Sequence, residues 1–472
     1  MSGLLRHRGR RGDSNDARSP APAGLPGSGQ KVVVVGLAES GVAAALAVSA
    51  RGASVLVTEM RLRDQVAEQA DRVEAAGARV AAGGHLPSHL EEADLVVTSP
   101  GVPEGAPVLN WARDRGIPVW SEVELGALLA RCPYVAVTGT NGKSTTTEMI
   151  AAAMRAGGLD AVSCGNVGYP FSAAAREDHE ALSVEVSSFQ LRFQWSLHPR
   201  VSVLLNLAPD HLDWHGTFEE YRDSKRRVFG SQHGDDVHVG NKDDAEAARV
   251  SGEASCRLVW FTLAEPADGE VGYVDGRLIS RADDEHNLGP MPWRTRWLLS
   301  NAAAAAAAAV CFDVDPEAVG EALRGFRTLP HRGEVVTEIS GVRFVDDSKA
   351  TNPHAALASI RSHDRVVLIA GGMSKGVDLS PLAAAAPRIV AVVALGEAAR
   401  EVASVFSGLV PVRMAGSIEE AVAEAFELAG REGTVLLAPA AASQDMFTDY
   451  AERGERFAAA ARALGKNGAG RA

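Results

Sequence analysis

Cysteine is scarce in this chain. There are four in 472 residues (Cys132, Cys164, Cys256 and Cys311), scattered and with no Cys-x-x-Cys pair. That excludes a disulfide framework and a cysteine-built zinc module, and it fits free thiols in a reducing cytoplasm. Long apolar runs are also missing. The longest, Ala302 to Phe312, is too short to span a bilayer, and alanine is only weakly apolar. The arginines near the start precede no apolar stretch, so no secretory signal peptide is read. A cytoplasmic protein without membrane insertion is therefore expected. Nor is positive charge in excess. The net charge of −13 argues against nucleic acid held through the overall field.

What is present is ordinary globular composition, 46% hydrophobic and 23% charged. At roughly 150 residues per domain, the length predicts about three domains, each able to bury its own core. Residues 1–28 carry five arginines against two aspartates, mixed with Gly, Pro and Ser. Such a stretch cannot offset its ordering entropy, so a disordered tail is expected. The tail holds +3 and the remainder −16, so any anionic ligand must be met by local cations.

Order is predicted from Lys31-Val-Val-Val-Val-Gly36, an apolar run ending in glycine that reads as a buried parallel strand. Ala53–Thr58, Asp94–Thr98 and Ile117–Trp120 follow as strands separated by helical segments. The pattern restarts at Tyr134–Thr138 after a joint at Arg131-Cys132-Pro133, with further strands at Ala181–Val186 and Val201–Asn206. Helices are expected over Ser300–Phe312 and Pro316–Phe326, the first on alanine's helix propensity alone. After a second joint near Leu329–Gly333, strands are read at Arg343–Asp346, Val366–Ala370, Ile389–Leu395 and Thr434–Ala438. Strands alternating with helices imply parallel sheets. The expected fold is α/β in three domains: 29–130 Rossmann-like, 131–329 a P-loop-type ATPase domain, and 330–472 a second Rossmann-like domain.

The sharpest local feature is Val137-Thr-Gly-Thr-Asn-Gly-Lys-Ser-Thr145. A strand ends, a loop turns and a helix starts, so backbone N–H groups and the helix dipole face an anion. Lys143 reaches for β- and γ-phosphates and Ser144 for Mg²⁺. Val137 stands where the standard pattern has its first glycine, so Gly139 and Gly142 supply the flexibility. Beyond the loop, Glu185 ends an apolar strand at the sheet edge where such folds place ligands. Asn206 ends the next strand, Asp210-His211-Leu212-Asp213 follows, and Lys225 lies on the helix beginning near Phe218. His211 and His215 have zinc-pair spacing, but Leu212 replaces the glutamate of a zinc protease motif, so oxygen-bound Mg²⁺ is the better match.

Gly139-Thr-Asn-Gly-Lys-Ser-Thr145, Glu185-Val-Ser-Ser-Phe-Gln190, Asp210-His211, Tyr221-Arg-Asp-Ser-Lys225, Leu329-Pro-His-Arg332 and Asp346-Asp-Ser-Lys-Ala-Thr-Asn352 occur in one order. In that order the chain, from about Lys31 to Arg462, resembles the ATP-dependent Mur ligases of peptidoglycan synthesis. Ser187-Ser-Phe-Gln190 and Asp347-Ser-Lys-Ala-Thr-Asn352 match the branch that adds D-glutamate to UDP-N-acetylmuramoyl-L-alanine. The resemblance implies one domain for the UDP-sugar, one for ATP and one for the amino acid, in a chain expected to act as a monomer. It implies an acyl-phosphate route, with Lys143, Glu185, His211 and Lys225 as catalytic positions. Gly139, Thr140, Asn141, Gly142, Ser144, Thr145, Asn301, Arg332, Asp347 and Lys349 match the ATP side. Ser40, Glu59, Arg61, Ser99, Pro100, Gly101 and Asn166 match the UDP-sugar side. Thr351, Lys375, Ser443 and Tyr450 match the D-glutamate side. Two Mg²⁺ ions are implied, held by Ser144, Glu185, His211 and Lys225, the lysine carried as a carbamate.

Two departures stand out. The family usually has a His-Asn pair shortly before the position of Asn301, where this chain reads Arg296-Trp-Leu-Leu-Ser-Asn301, and Leu298 has no side-chain hydrogen bond to give. Ala38 and Glu39 depart from the commoner residues of the first glycine loop. That loop, Gly36-Leu-Ala-Glu-Ser-Gly41, with Glu59 ending the second strand, keeps a nicotinamide-dependent oxidoreductase as a rival for the first domain. A sister ligase for another amino acid, of the folylpolyglutamate or diamino-acid kind, is the second rival.

Overall fold

The computed structural model describes residues 24–293 and 295–468. Of the expected tail, residues 1–23 lie outside the described residues. Residues 24–28 correct the expectation: Leu25 packs on the first domain's core and the Pro26 carbonyl accepts a hydrogen bond from Arg51 Nε at 2.9 Å. One apolar side chain anchors a stretch whose composition alone reads as mobile.

Three sheets carry the fold. In the first, β1 (Lys31–Val35), β2 (Ser54–Glu59), β3 (Arg79–Ala82), β4 (Leu95–Thr98) and β5 (Val119–Ser121) run parallel in the order β3-β2-β1-β4-β5. Val32 to Val35 are buried because β1 is central and covered on both faces. The second sheet holds β6 (Tyr134–Thr138), β7 (Ala161–Gly165), β8 (Ala181–Glu185), β9 (Val201–Leu204), β10 (Val237–Asn241), β11 (Arg257–Phe261), β12 (Glu270–Val274), β13 (Arg277–Ser280) and β14 (His286–Pro290). Its order is β14-β13-β12-β11-β10-β9-β6-β8-β7, parallel except for the antiparallel pairs β12–β13 and β13–β14. The third holds β15 (Glu334–Ile339), β16 (Val342–Asp346), β17 (Val366–Gly371), β18 (Ile389–Leu395), β19 (Val412–Ala415) and β20 (Gly433–Leu437), ordered β15-β16-β20-β17-β18-β19 with only β15 antiparallel.

Two helices position the centre of the molecule. Lys143–Ala156 springs directly from the phosphate loop. Arg296–Cys311 starts four residues earlier than its alanines predict, and Ala302 to Ala309 are all fully buried. A helix apolar on every side is a core helix, here packed between the sheet and the phosphate-loop helix. Val201–Leu204 is shorter than read: Asn206 lies in the loop after β9 rather than in the strand.

Candidate active site

The phosphate loop is held from below. Asn206 Oδ1 accepts from the Asn141 N–H at 2.8 Å, Asn206 Nδ2 donates to the Asn141 carbonyl at 3.0 Å, and Thr140 N donates to the Asn206 carbonyl at 2.9 Å. Gly142 has φ 88°, and a Cβ there would stand 2.4 Å from Asn301 Oδ1. Glycine is thus required both for the backbone and for the approach of the alanine-rich helix. Lys143 Nζ folds back to donate to the carbonyls of Gly139 (3.0 Å) and Thr140 (2.9 Å).

Next to the loop is a wall of ionisable groups. Glu185, at the end of β8, is buried and accepts from Asn166 Nδ2 at 2.9 Å. Asp210 is buried too. It pairs with Lys375 Nζ at 3.4 Å and accepts from Asn352 Nδ2 at 3.0 Å. Burial opposes the charge on Asp210, yet the Lys375 ammonium holds its carboxyl below the usual carboxylate range. His211 sits in the left-handed region, φ 54°, with its ring edge-on to Phe189. Burial, with Lys375, Lys143 and Lys225 nearby, outweighs Asp210 and lowers its pKa to about 4, so the ring is neutral at pH 7. His215 turns away, bonds Ser188 Oγ at 2.9 Å and stacks on Phe189.

Lys225 is 1% exposed. Its Nζ donates to the Gly139 carbonyl at 2.7 Å, and burial together with the charge of Lys143 pushes its pKa well below that of a free lysine. From the third domain come Arg332, Asp347, Lys349, Thr351, Lys375, Ser443 and Tyr450. Burial raises Asp347 to about 6 and lowers Lys349 to about 7, the latter helped by Arg332. Lys349 Nζ lies 3.6 Å from the Tyr450 ring centre. Arg453, 1% exposed, ties the two loops that carry these groups: it donates to the carbonyls of Ser348, Ala441 and Ala442.

One cavity of about 710 Å³ gathers most of this. Its lining includes Thr140, Asn141, Gly142, Lys143, Ser144, Asn166, Glu185, His211, Asn301, Arg332, Asp347, Lys349, Thr351, Lys375, Ser443 and Tyr450. Gly139, Thr145 and Lys225 stand behind that lining. Ser40, Glu59, Arg61, Ser99, Pro100 and Gly101 gather elsewhere, at the edge of the first sheet. There Glu59 accepts from the Leu37 N–H at 2.7 Å and pairs with Arg61 at 3.1 Å. Asn166, read with that group, instead stands beside Glu185. Among the lining residues that the sequence did not mark as contacts are Asn352 and Trp297, and Asp210, which it marked only within its motif, pairs with Lys375.

Family models match three successive segments: "Mur ligase MurD-like, N-terminal domain" over 30–121, "Mur ligase middle domain" over 137–309 and "Mur ligase, glutamate ligase domain" over 331–441. The UDP-N-acetylmuramoylalanine–D-glutamate ligase of Frankia casuarinae is 44% identical, over 93% of this chain and 94% of its own. The enzyme of that name from Thermobifida fusca is 43% identical, over 92% and 99%. The chain belongs to the Mur ligase family. Among solved structures, a pseudomurein peptide ligase type C from Methanothermus fervidus shares the fold with a TM-score of 0.59 at 20% identity, covering 92% of this chain and all of that one. A UDP-N-acetylmuramate–alanine ligase from Thermotoga maritima does so at 0.59 and 18%, covering 92% and 99%.

The Mur ligase cavity has the chemistry its nucleotide and metal need. Thr145 Oγ1 and Asn301 Nδ2 are buried beside the phosphate loop with no hydrogen-bond partner among the described residues, so polar atoms there stand ready for a ligand. The Ser144 hydroxyl and the Glu185 carboxylate are hard oxygen donors suited to Mg²⁺, and the neutral His211 imidazole lines the same cavity. The atypical stretch before Asn301 resolves into two parts. Leu298 and Leu299 enter the core, while Arg296 and Trp297 line the cavity. The family model over the first domain leaves the nicotinamide reading without support.

Proposed function

We propose that this chain joins D-glutamate to UDP-N-acetylmuramoyl-L-alanine, using ATP, in peptidoglycan precursor synthesis. The observation that carries the reading is the single cavity in which the phosphate loop of the central domain faces Lys375, Thr351 and Ser443 of the third. The alanyl carboxylate attacks the γ-phosphorus of ATP, giving an acyl phosphate and ADP. The amine of D-glutamate adds to the acyl carbon, and the tetrahedral species expels phosphate.

Lys143 leaves its two carbonyls to meet the β- and γ-phosphates, and Arg332 adds charge from the third domain. The N-terminus of helix Lys143–Ala156 faces the same anion. Asn301, Asp347 and Lys349 belong to the nucleotide side. Lys375, Thr351, Ser443 and Tyr450 receive the D-glutamate, and Asp210 holds the Lys375 ammonium in place. Ser40, Glu59, Arg61 and Ser99-Pro100-Gly101 hold the UDP moiety, and Asn166 reaches toward the sugar end. Mg²⁺, when bound, screens the two anions that must meet; Ser144, Glu185, His211 and carbamylated Lys225 are the residues proposed to hold two ions. Burial pushes Lys225 toward the neutral amine, the form that attacks CO₂. An unmodified Lys225 in the mass spectrum of active enzyme would remove that part.

Phosphate release from ATP, measured with UDP-N-acetylmuramoyl-L-alanine and one amino acid at a time, tests the assignment. Turnover with D-glutamate and little with L-glutamate or meso-diaminopimelate is expected. A folded enzyme inert to D-glutamate would sink it.

A further inference from the structure

The central sheet has a second cluster of ligating side chains, at the opposite end of its strands from the phosphate loop, roughly 15 Å away at the rise of five strand residues. His198 precedes β9, and His233 and Asp236 lie in the turn that enters the neighbouring strand β10. One ligand atom from each lies within 4.8 Å of the other two. His198 Nε2 and Asp236 Oδ2 are 2.6 Å apart, and the two imidazole centres 4.8 Å. No step of the reaction uses these residues.

We infer that His198, His233 and Asp236 form a binding site for a borderline divalent transition-metal ion such as Zn²⁺. Two imidazoles and a carboxylate favour zinc, cobalt or nickel over Mg²⁺, and three protein ligands leave a fourth position for water. Zinc bonds of about 2 Å set tetrahedral ligand atoms roughly 3.3 Å apart, so the His198 Nε2–Asp236 Oδ2 pair opens from 2.6 Å while the longer separations, at most 4.8 Å, close by small ring movements. The backbone is already fixed. The His233 N–H donates to Asp236 Oδ2 at 2.9 Å and the Asp236 N–H to the His233 carbonyl at 3.2 Å. Arg257 N donates to the Asp236 carbonyl at 3.2 Å, and His198 N to the buried Tyr134 hydroxyl at 2.9 Å. A bound ion cross-links the entries to β9 and β10 without touching the cavity.

The test uses the untagged full-length protein with excess Mg²⁺ and ADP, so that the oxygen donors of the cavity are occupied. Zn²⁺ is followed by calorimetry and Co²⁺ by its visible absorption. One Zn²⁺ per chain, Co²⁺ bands without thiolate charge transfer, and a thermal midpoint raised by Zn²⁺ are expected. The H198A/H233A double variant should bind Zn²⁺ roughly 100-fold more weakly and lose the Co²⁺ bands, with Mg²⁺-dependent turnover unchanged. H233Q serves as a milder second variant with the same expected loss. No zinc on the wild type, equal zinc binding by the variants, or a thiolate band would overturn the site.

Discussion

The Gly139 carbonyl accepts from two lysines, Lys143 at 3.0 Å and Lys225 at 2.7 Å. Two ammonium groups on one buried oxygen repel, and burial with the charge of Lys143 pushes the pKa of the deeper one, Lys225, well below that of a free lysine. In the proposed mechanism the roles separate: Lys143 is the cation that turns to the phosphates, Lys225 the amine that stays in place. Lys143→Ala should cut phosphate release by about 100- to 1,000-fold while circular dichroism and the thermal midpoint stay near wild type; near-normal release would refute its role. Lys143 was legible from its strand–loop–helix turn, and Lys225 from the resemblance carried by Tyr221-Arg-Asp-Ser-Lys225. The polar contacts across the cavity were not. Asn352 bonds Asn141 from 211 residues away and Lys375 meets Asp210 across 165, and local pattern carries nothing about such approaches. The sequence names Lys225 as a lysine but is silent on its burial.

Among the elements, helix Glu122–Leu129 joins the first sheet to the central domain and buries two glutamates. Glu122 Oε1 accepts from the Ser172 N–H at 2.5 Å, while Oε2 has no hydrogen-bond partner among the described residues. Burial raises its pKa from 4.5 to about 7. A carboxyl held protonated by the fold stabilises fully below its unfolded pKa, and that contribution fades as pH rises to the folded value. Relative to Glu122→Gln, wild-type stability should therefore fall by up to about 3 kcal/mol between pH 4.5 and 7 and then level off. Denaturant midpoints of both proteins at pH 5 and 8 check this; a pH-independent difference would mean the carboxyl is not held neutral. Most central strands were legible as apolar runs, but the interior strands β10, β12 and β13 were not, nor was the edge strand β14. The edge strands β3, β7, β15 and β19 were missed for a physical reason: an edge is less fully covered, and its sequence is free to mix charge and small residues, as in Arg79-Val-Ala-Ala and Val412-Arg-Met-Ala.

At the scale of the molecule, central and third domains meet through polar groups. Asn352 donates to Asn141 Oδ1 and Asp210 Oδ2, both at 3.0 Å, and Asn141 Nδ2 reaches His354 Nδ1 at 2.9 Å. A seam of hydrogen bonds rather than apolar area suits domains that must part to admit substrates and close for chemistry. Asn352→Ala should lower kcat/KM for D-glutamate by up to about 100-fold through misplacement across the seam. Its lost N-cap on helix Pro353–Ile360 should cost about 1 kcal/mol. Steady-state kinetics and the radius of gyration from X-ray scattering check both; unchanged kinetics with a compact chain would contradict it. The three-domain plan was legible from length and recurring strand–helix pattern, whereas the seam exists only once the domains are folded. The run Ala302–Ala309 has a consequence of another kind. Each alanine is buried in close contact on every side, so a larger residue overfills the core and glycine loosens the helix. The chemically plainest stretch of the chain is therefore among its least free to drift, because its backbone is what sets Asn301 against the loop.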